Sequence, residues 1–333
     1  MSVYIIAEIG QAHEGSLGIA HSYIDALAKT GVDAIKWQTH IAQAESSIYE
    51  PFRVKFSYED KSRYDYWKRM EFSKSQWVDL KKHCDNVGLE FISSPFSNAA
   101  VDLLEEVGVN RYKIGSGEVG NLLLLERVAR TGKPTIISSG MSSFEELDQA
   151  VNFLSSRVEV SVMQCFTSYP TNPEQWGLNL IPELKERYQT PVGFSDHSGD
   201  ISACTAAAAL GADMLEFHVV FDKRMFGPDS VASLTIDEVS QLVFSVNKIK
   251  LSLQSPVQKN VPENLVRVKK MFGKSLAVNK DLVKGHVITF EDLDAKKPSE
   301  KGIGADKFAS VIGMSLMHDM DAWSFINETD INE

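Results

Sequence analysis

The sequence predicts an α/β protein: a (β/α)8 barrel followed by a small β-rich C-terminal domain. Three observations carry this. Short β-branched runs alternate with amphipathic helical runs through the first 250 or so residues, as a parallel strand–helix repeat requires. Nearly every strand-like run ends in a polar or ionisable residue, as the mouth of a barrel does. The alternation then stops in a Pro/Asn/Lys-rich stretch, "QSPVQKNVPENLVRVKK", followed by short runs broken by Gly, Asp and Lys.

Taken in order, the strand candidates are 3–9, 33–39, 89–94, 111–115, 134–139, 158–166, 191–196 and 213–219. Between the first two, "SLGIAHSYIDALAKTG" places Ile19, Tyr23, Ala26 and Leu27 on one helical face, with Gly31 as its stop. The run from Ser73 to Gly88 carries a Ser cap and a Gly terminator. Further helices are expected over 98–108, 121–132, 143–156, 202–210 and 236–252, and one less regular over 176–189. An open doubly wound sheet is the alternative, but no Gly-rich fingerprint follows the first strand. Residues 40–72 form a long insertion after the second strand, rich in aromatic and charged residues. It reads either as a cover for a site or as a contact loop. The boundaries are a barrel over 1–253, a linker over 254–271 and a small domain over 272–333.

The formal net charge of −11 argues against nucleic acid or anionic membrane as a partner. Three scattered cysteines argue against a disulfide framework and for a reducing, cytoplasmic setting. The N-terminal "MSVYIIAEIG" reads as a strand rather than a leader peptide, and no apolar run is long enough to span a membrane.

The strand ends supply the chemistry. In order they offer Glu8; Lys36 and Gln38; Ser93 and Ser94; Lys113, Ser116 and Glu118; Ser138 and Ser139; Thr167 and Tyr169; Ser195, Asp196 and His197; Glu216 and His218. His197 and His218 close neighbouring strands. They can share a divalent metal as a Lewis acid, or simply hydrogen-bond. Lys36 and Lys113, with the serines and the glycines of "KIGSG", suit a phosphate or carboxylate. Lys113 is expected to serve substrate binding and not stability. Glu8 and Glu118 either move protons and hold hydroxyls or pair with lysines. His13 and His40 follow strand ends and are weaker candidates. His21 and His83 are expected on solvent-facing helix surfaces.

The motifs "AEIGQAHEGSL", "IKWQTH", "FISSPFS", "YKIGSGE", "ISSGMSS", "SYPTNPEQ", "FSDHS" and "FGPDSVASL" resemble, in that order, the sialic acid (nonulosonic acid) synthase family. The tail "SLAVNKDLVKGHVITFEDL" resembles its C-terminal antifreeze-like (SAF) domain. The resemblance implies a barrel enzyme that condenses phosphoenolpyruvate with an N-acetylated amino-hexose, giving a nine-carbon 2-keto acid and phosphate. The acceptor would be N-acetylmannosamine or a 2,4-diacetamido-trideoxyhexose. It implies Mn²⁺ or Mg²⁺ on His197 and His218, and phosphoenolpyruvate on Lys36, Ser94, Lys113, Ser116, Ser138 and Ser195, with Thr167 nearby. The sugar falls on Gln38, Glu118, Tyr169 and Asp229, and Glu8 lies near the metal. The implied assembly is a domain-swapped homodimer in which Lys297, with Lys274, reaches the partner's sugar.

The sequence also departs from the family pattern. It has Ala12 for Asn, Phe217 for Lys or Arg, Thr167 for Asn or Ser, and Lys297 for Arg. The last change loses a planar fork, which bears on sugar choice. Two other readings remain: another phosphoenolpyruvate- or metal-dependent aldolase-type enzyme, and a non-catalytic sugar-binding or ice-binding protein. The second leaves the ionisable groups at the barrel mouth without a purpose.

Overall fold

Eight parallel strands form a sheet in sequence order, and pairing of the first with the last closes it. The computed structural model describes residues 3–54 and 56–332. The strands are β1 Tyr4–Gly10, β2 Ala34–Thr39, β3 Glu90–Pro95, β4 Tyr112–Ile114, β5 Thr135–Ser138, β6 Val160–Cys165, β7 Val192–Asp196 and β8 Met214–Val220. In the closing pair Ile6 faces Glu216 and Glu8 faces His218. Closure rules out the open doubly wound sheet.

The helices wrap this barrel. They are α1 Leu17–Leu27, α2 Ala42–Glu45, α3 Arg63–Met70, α4 Lys74–Val87, α5 Asn98–Val107, α6 Leu122–Ala129, α7 Phe144–Ser155, α8 Leu180–Tyr188, α9 Ile201–Ala209 and α10 Ile236–Gln254. Local chemistry sets their starts. Ser73, Ser143 and Thr235 each close a capping box with Gln76, Glu146 and Glu238. Gly88, at φ +80°, ends α4 as the sequence suggests. Helix α1 stops sooner than expected. Ala28 caps it, and Gly31, at φ +87°, turns the chain into β2 instead.

Alternation along the strands sorts the side chains between two cores. Outward residues such as Ile5, Ile35, Phe91, Val162, Phe194 and Phe217 pack against the helices. Inward residues at the lower level, Ile6, Ala34, Ile92, Ile136, Met163 and Met214, fill the barrel. Two residues further along these strands the inward series turns polar: Glu8, Lys36, Ser94, Ser138, Cys165 and Glu216.

The chain divides into two compact units, Met1–Pro256 and Val257–Glu333. Where an irregular linker was expected, the second unit begins with a helix, α11 Glu263–Phe272. Its other strands form two antiparallel pairs, β10 Ser275–Val278 with β11 Leu293–Lys296, and β12 Ser315–Leu316 with β13 Ile331–Asn332 (β9, Leu234–Thr235, extends β8 in the first unit). Leu276, Val278, Leu282, Ile288, Val311, Leu316, Met320 and Ile326 make its small core. Buried Asp292 pins it by accepting from Thr289 N and His286 Nε2, both at 2.8 Å. Among the described residues no helix is long and apolar enough to cross a membrane.

Candidate active site

The strand ends open into a cavity of about 360 Å³ in the barrel unit. Gln38, Lys36, Ser94, Lys113, Ser116, Glu118, Ser138, Thr167, Tyr169, Ser195, His197, His218 and Asp229 all line it. Glu8 lies just beneath, 1% exposed, and Gln38 Nε2 donates to it at 2.7 Å. Lys297 belongs to the second unit, where it is exposed and sits 4.6 Å from the Phe272 ring centre.

Alternation explains the selection. Ser93 faces outward and bonds Thr39, while Ser94 faces in, 3.4 Å from Lys36 Nζ. Ser139 donates to the Met163 carbonyl, while Ser138 accepts from Lys113 at 2.7 Å. Asp196 turns away to bind Ser198, leaving Ser195 and His197 in the mouth.

At the floor lie two lysines and two carboxylates, all at most 4% exposed. Glu216 Oε1 accepts from Lys113 at 3.0 Å and Ser195 at 3.2 Å, and lies 3.4 Å from Lys36. Lys36 also meets Glu8 at 2.5 Å. Burial works against the Lys36 ammonium, but Glu216 and Glu8 outweigh it and raise its pKa. Lys113 has only one carboxylate and a neighbouring cation, so burial prevails and lowers it. Against its own burial, Glu216 is held well below the usual carboxylate range by Lys113 and Lys36. Glu216 Oε2 and Thr167 Oγ1 are buried without a hydrogen-bond partner among the protein groups. The sequence flagged Glu216 as a strand-end acid but gave it no role. The structure makes it the hub.

His197 and His218 face each other with ring centres 5.3 Å apart. His197 Nδ1 donates to the Phe166 carbonyl at 3.0 Å, and the Tyr169 hydroxyl stands 3.1 Å from Nε2. Such a backbone bond fixes the ring and aims the other nitrogen, as in metal-ligating histidines. Burial opposes its protonation, but Cys165 and the Phe166 carbonyl prevail and raise its pKa to about 9. Burial lowers that of His218, whose imidazole is neutral and free to ligate. The pair fits one divalent cation, which would displace the proton that Cys165 and the Phe166 carbonyl favour on His197. Among the described residues no set of three or more His, Cys, Asp or Glu is grouped to hold a metal ion.

Other expectations are corrected here. His40 reaches the wall, stacked on Trp67 at 3.9 Å and 2.6 Å from Glu45 Oε1. His13 does not. It packs against Phe72, and burial pushes its pKa down to about 3. His21 and His83 are partly buried and face one another, with Nδ1 atoms 2.8 Å apart. Glu118 pairs with Asn121 rather than a lysine, at 2.7 Å, and burial raises its pKa. The 40–72 insertion proves to be part of the site: Glu45, Glu50, Arg53, Arg63, Tyr66 and Trp67 all line the cavity. Its aromatic and charged composition was the available signal.

The chain matches the NeuB family over residues 23–258. It belongs to that family. It is 32% identical to the N,N'-diacetyllegionaminic acid synthase of Campylobacter jejuni over 323 residues, covering 93% of this chain and 94% of the relative. It is equally 32% identical to human N-acetylneuraminate-9-phosphate synthase, covering 94% of this chain and 88% of that one. Among solved structures, the N-acetylneuraminic acid synthetase of Leptospira borgpetersenii in complex with citrate superposes with a TM-score of 0.71. Its identity is 29%, over 80% of this chain and 90% of that one. The NeuB-family chain is thus an enzyme of the sialic-acid-synthase type.

Proposed function

We propose that this enzyme condenses phosphoenolpyruvate with an N-acetylated amino-hexose, giving a nine-carbon 2-keto sugar acid and phosphate. The observation that carries the proposal is the buried floor: Lys36 and Lys113 converge at one barrel mouth beneath two imidazoles, beside buried polar atoms that lack partners.

Lys36, Lys113 and the hydroxyls of Ser94, Ser116, Ser138, Ser195 and Thr167 hold the carboxylate and phosphate of phosphoenolpyruvate. Lys36 and Lys113 are balanced by Glu8 and Glu216, so a substrate with two anionic groups leaves the site short of positive charge. A divalent cation, Mn²⁺ or Mg²⁺, on His197 and His218 would supply that charge and polarise the sugar aldehyde. Gln38, Tyr169 and Asp229 orient the open-chain sugar. The methylene carbon of phosphoenolpyruvate attacks the aldehyde carbon, and the aldehyde oxygen takes up a proton. Water adds at the resulting oxocarbenium carbon, and phosphate leaves with cleavage of its bond to that carbon. Glu118, whose pKa burial raises, would move protons, with the Glu8 carboxylate as the alternative.

The test is phosphate release from phosphoenolpyruvate with a panel of unphosphorylated amino sugars. Release that needs the sugar and a divalent metal is expected. His197→Ala and His218→Ala should each abolish it and weaken metal binding in calorimetry. Unchanged metal dependence in both variants would remove the metal assignment.

A further inference from the structure

The insertion after β2 sends one side chain across the mouth of the barrel. Arg53 lies on the irregular stretch between α2 and α3. Its Nη2 donates to Asp229 Oδ1, 2.6 Å away, in the loop after β8. The same guanidinium lies 4.0 Å from the centre of the Tyr169 ring, in the loop after β6. One guanidinium thus joins three loops, with the carboxylate and the ring as its partners. A lysine ammonium lacks the planar fork that serves both contacts from one fixed group.

We propose that Arg53 is a positioning residue for the acceptor sugar, holding Tyr169 and Asp229 in the orientation in which they meet it. This rests on the reaction read above. Three features favour a positioning role over a structural one. The ion pair is partly exposed, at 39% and 18% for the two side chains, and such pairs contribute little to stability. The insertion has its own anchor, because Phe52 and Phe56 pack on Tyr66, Trp67 and Met70. Tyr169 also touches the chemistry directly: its hydroxyl stands 3.1 Å from His197 Nε2 and its ring 5.8 Å from that of His218. Release of Arg53 would free Tyr169 to move against both imidazoles.

The effect should be selective. Lys36, Lys113 and Ser138 lie within the strands, whereas Arg53, Tyr169 and Asp229 lie in loops beyond them. Steady-state kinetics with both substrates varied, on Arg53→Ala and Arg53→Lys, reads this out. Arg53→Ala is expected to raise the acceptor KM roughly tenfold or more and keep the phosphoenolpyruvate KM within about twofold. Arg53→Lys should fall between it and the wild type. An unchanged acceptor KM in Arg53→Ala, an equal rise in both KM values, or a wild-type Arg53→Lys would each overturn the assignment. Crystal structures of wild type and Arg53→Ala test it independently of turnover. Tyr169 and Asp229 should shift in the variant, and unmoved side chains would reject the role. A wild-type enzyme inactive with every acceptor would count against the reaction, and the crystal comparison would still decide on Arg53.

Discussion

Truncating Lys113 to Ala is expected to do two things at once. It removes a cation from the substrate floor, so turnover should fall or vanish. It also leaves Glu216 buried with Lys36 as its remaining cation, at 3.4 Å, so stability should drop by about 3 kcal/mol. The sequence alone assigns Lys113 to binding. The structure corrects this, because its partner lies 103 residues away on β8. A Lys113→Met/Glu216→Gln double variant separates the effects: denaturant melts should recover while activity stays lost. Glu118 gives a second test. Its pKa is raised by burial, so a base role needs its proton lost, and kcat/KM should fall on acidification from above the ordinary carboxylate range. Glu118→Gln should lower activity and flatten that limb, and an unaltered profile would deny the role. Strand-end residues were legible because alternation and strand order place them. Arg53 was not, since nothing local links it to Asp229.

The elements explain why the pattern reads so far and no further. Along the longer strands the inward positions run from apolar below to polar above, and that grading is visible in one dimension. The fit between strands is not. A Cβ added at Gly193 on β7 would lie 2.2 Å from Met214 Cγ and 2.7 Å from the Met214 carbonyl oxygen on β8. That backbone atom cannot yield without moving the strand. Gly193→Ala should therefore cost about 1–3 kcal/mol, read as a lower denaturant midpoint at constant m-value. An unchanged midpoint would mean that β7 and β8 adjust freely. Helix α4 was legible from its Ser73 cap and Gly88 stop, and α7 and α10 from the runs 143–156 and 236–252, whose boxes the structure adds. The stretch 46–62 has no period, so neither its path nor its Arg53 contacts could be read in advance. Helix α11 was hidden by the prolines and asparagines just before it.

At the scale of the whole molecule, the second unit has a core of its own and an apolar helix surface. Leu265, Val266, Met271 and Phe272 of α11 are 42% to 65% exposed. The homodimer that the family resemblance implies, in which each tail serves the partner's barrel and Lys297 meets the sugar, has its own test. Where Lys297→Ala is inactive alone, its co-expression with His197→Ala should restore one intact site per mixed dimer. No activity in verified heterodimers would reject the exchange. The central claim is the condensation itself, and product stoichiometry tests it most directly. Purified enzyme with phosphoenolpyruvate, a divalent metal and an N-acetylated amino-hexose should yield phosphate and a nine-carbon 2-keto acid one for one by mass spectrometry, and neither when the sugar is left out. Phosphate released at the same rate without the sugar, or without the keto acid, would contradict it.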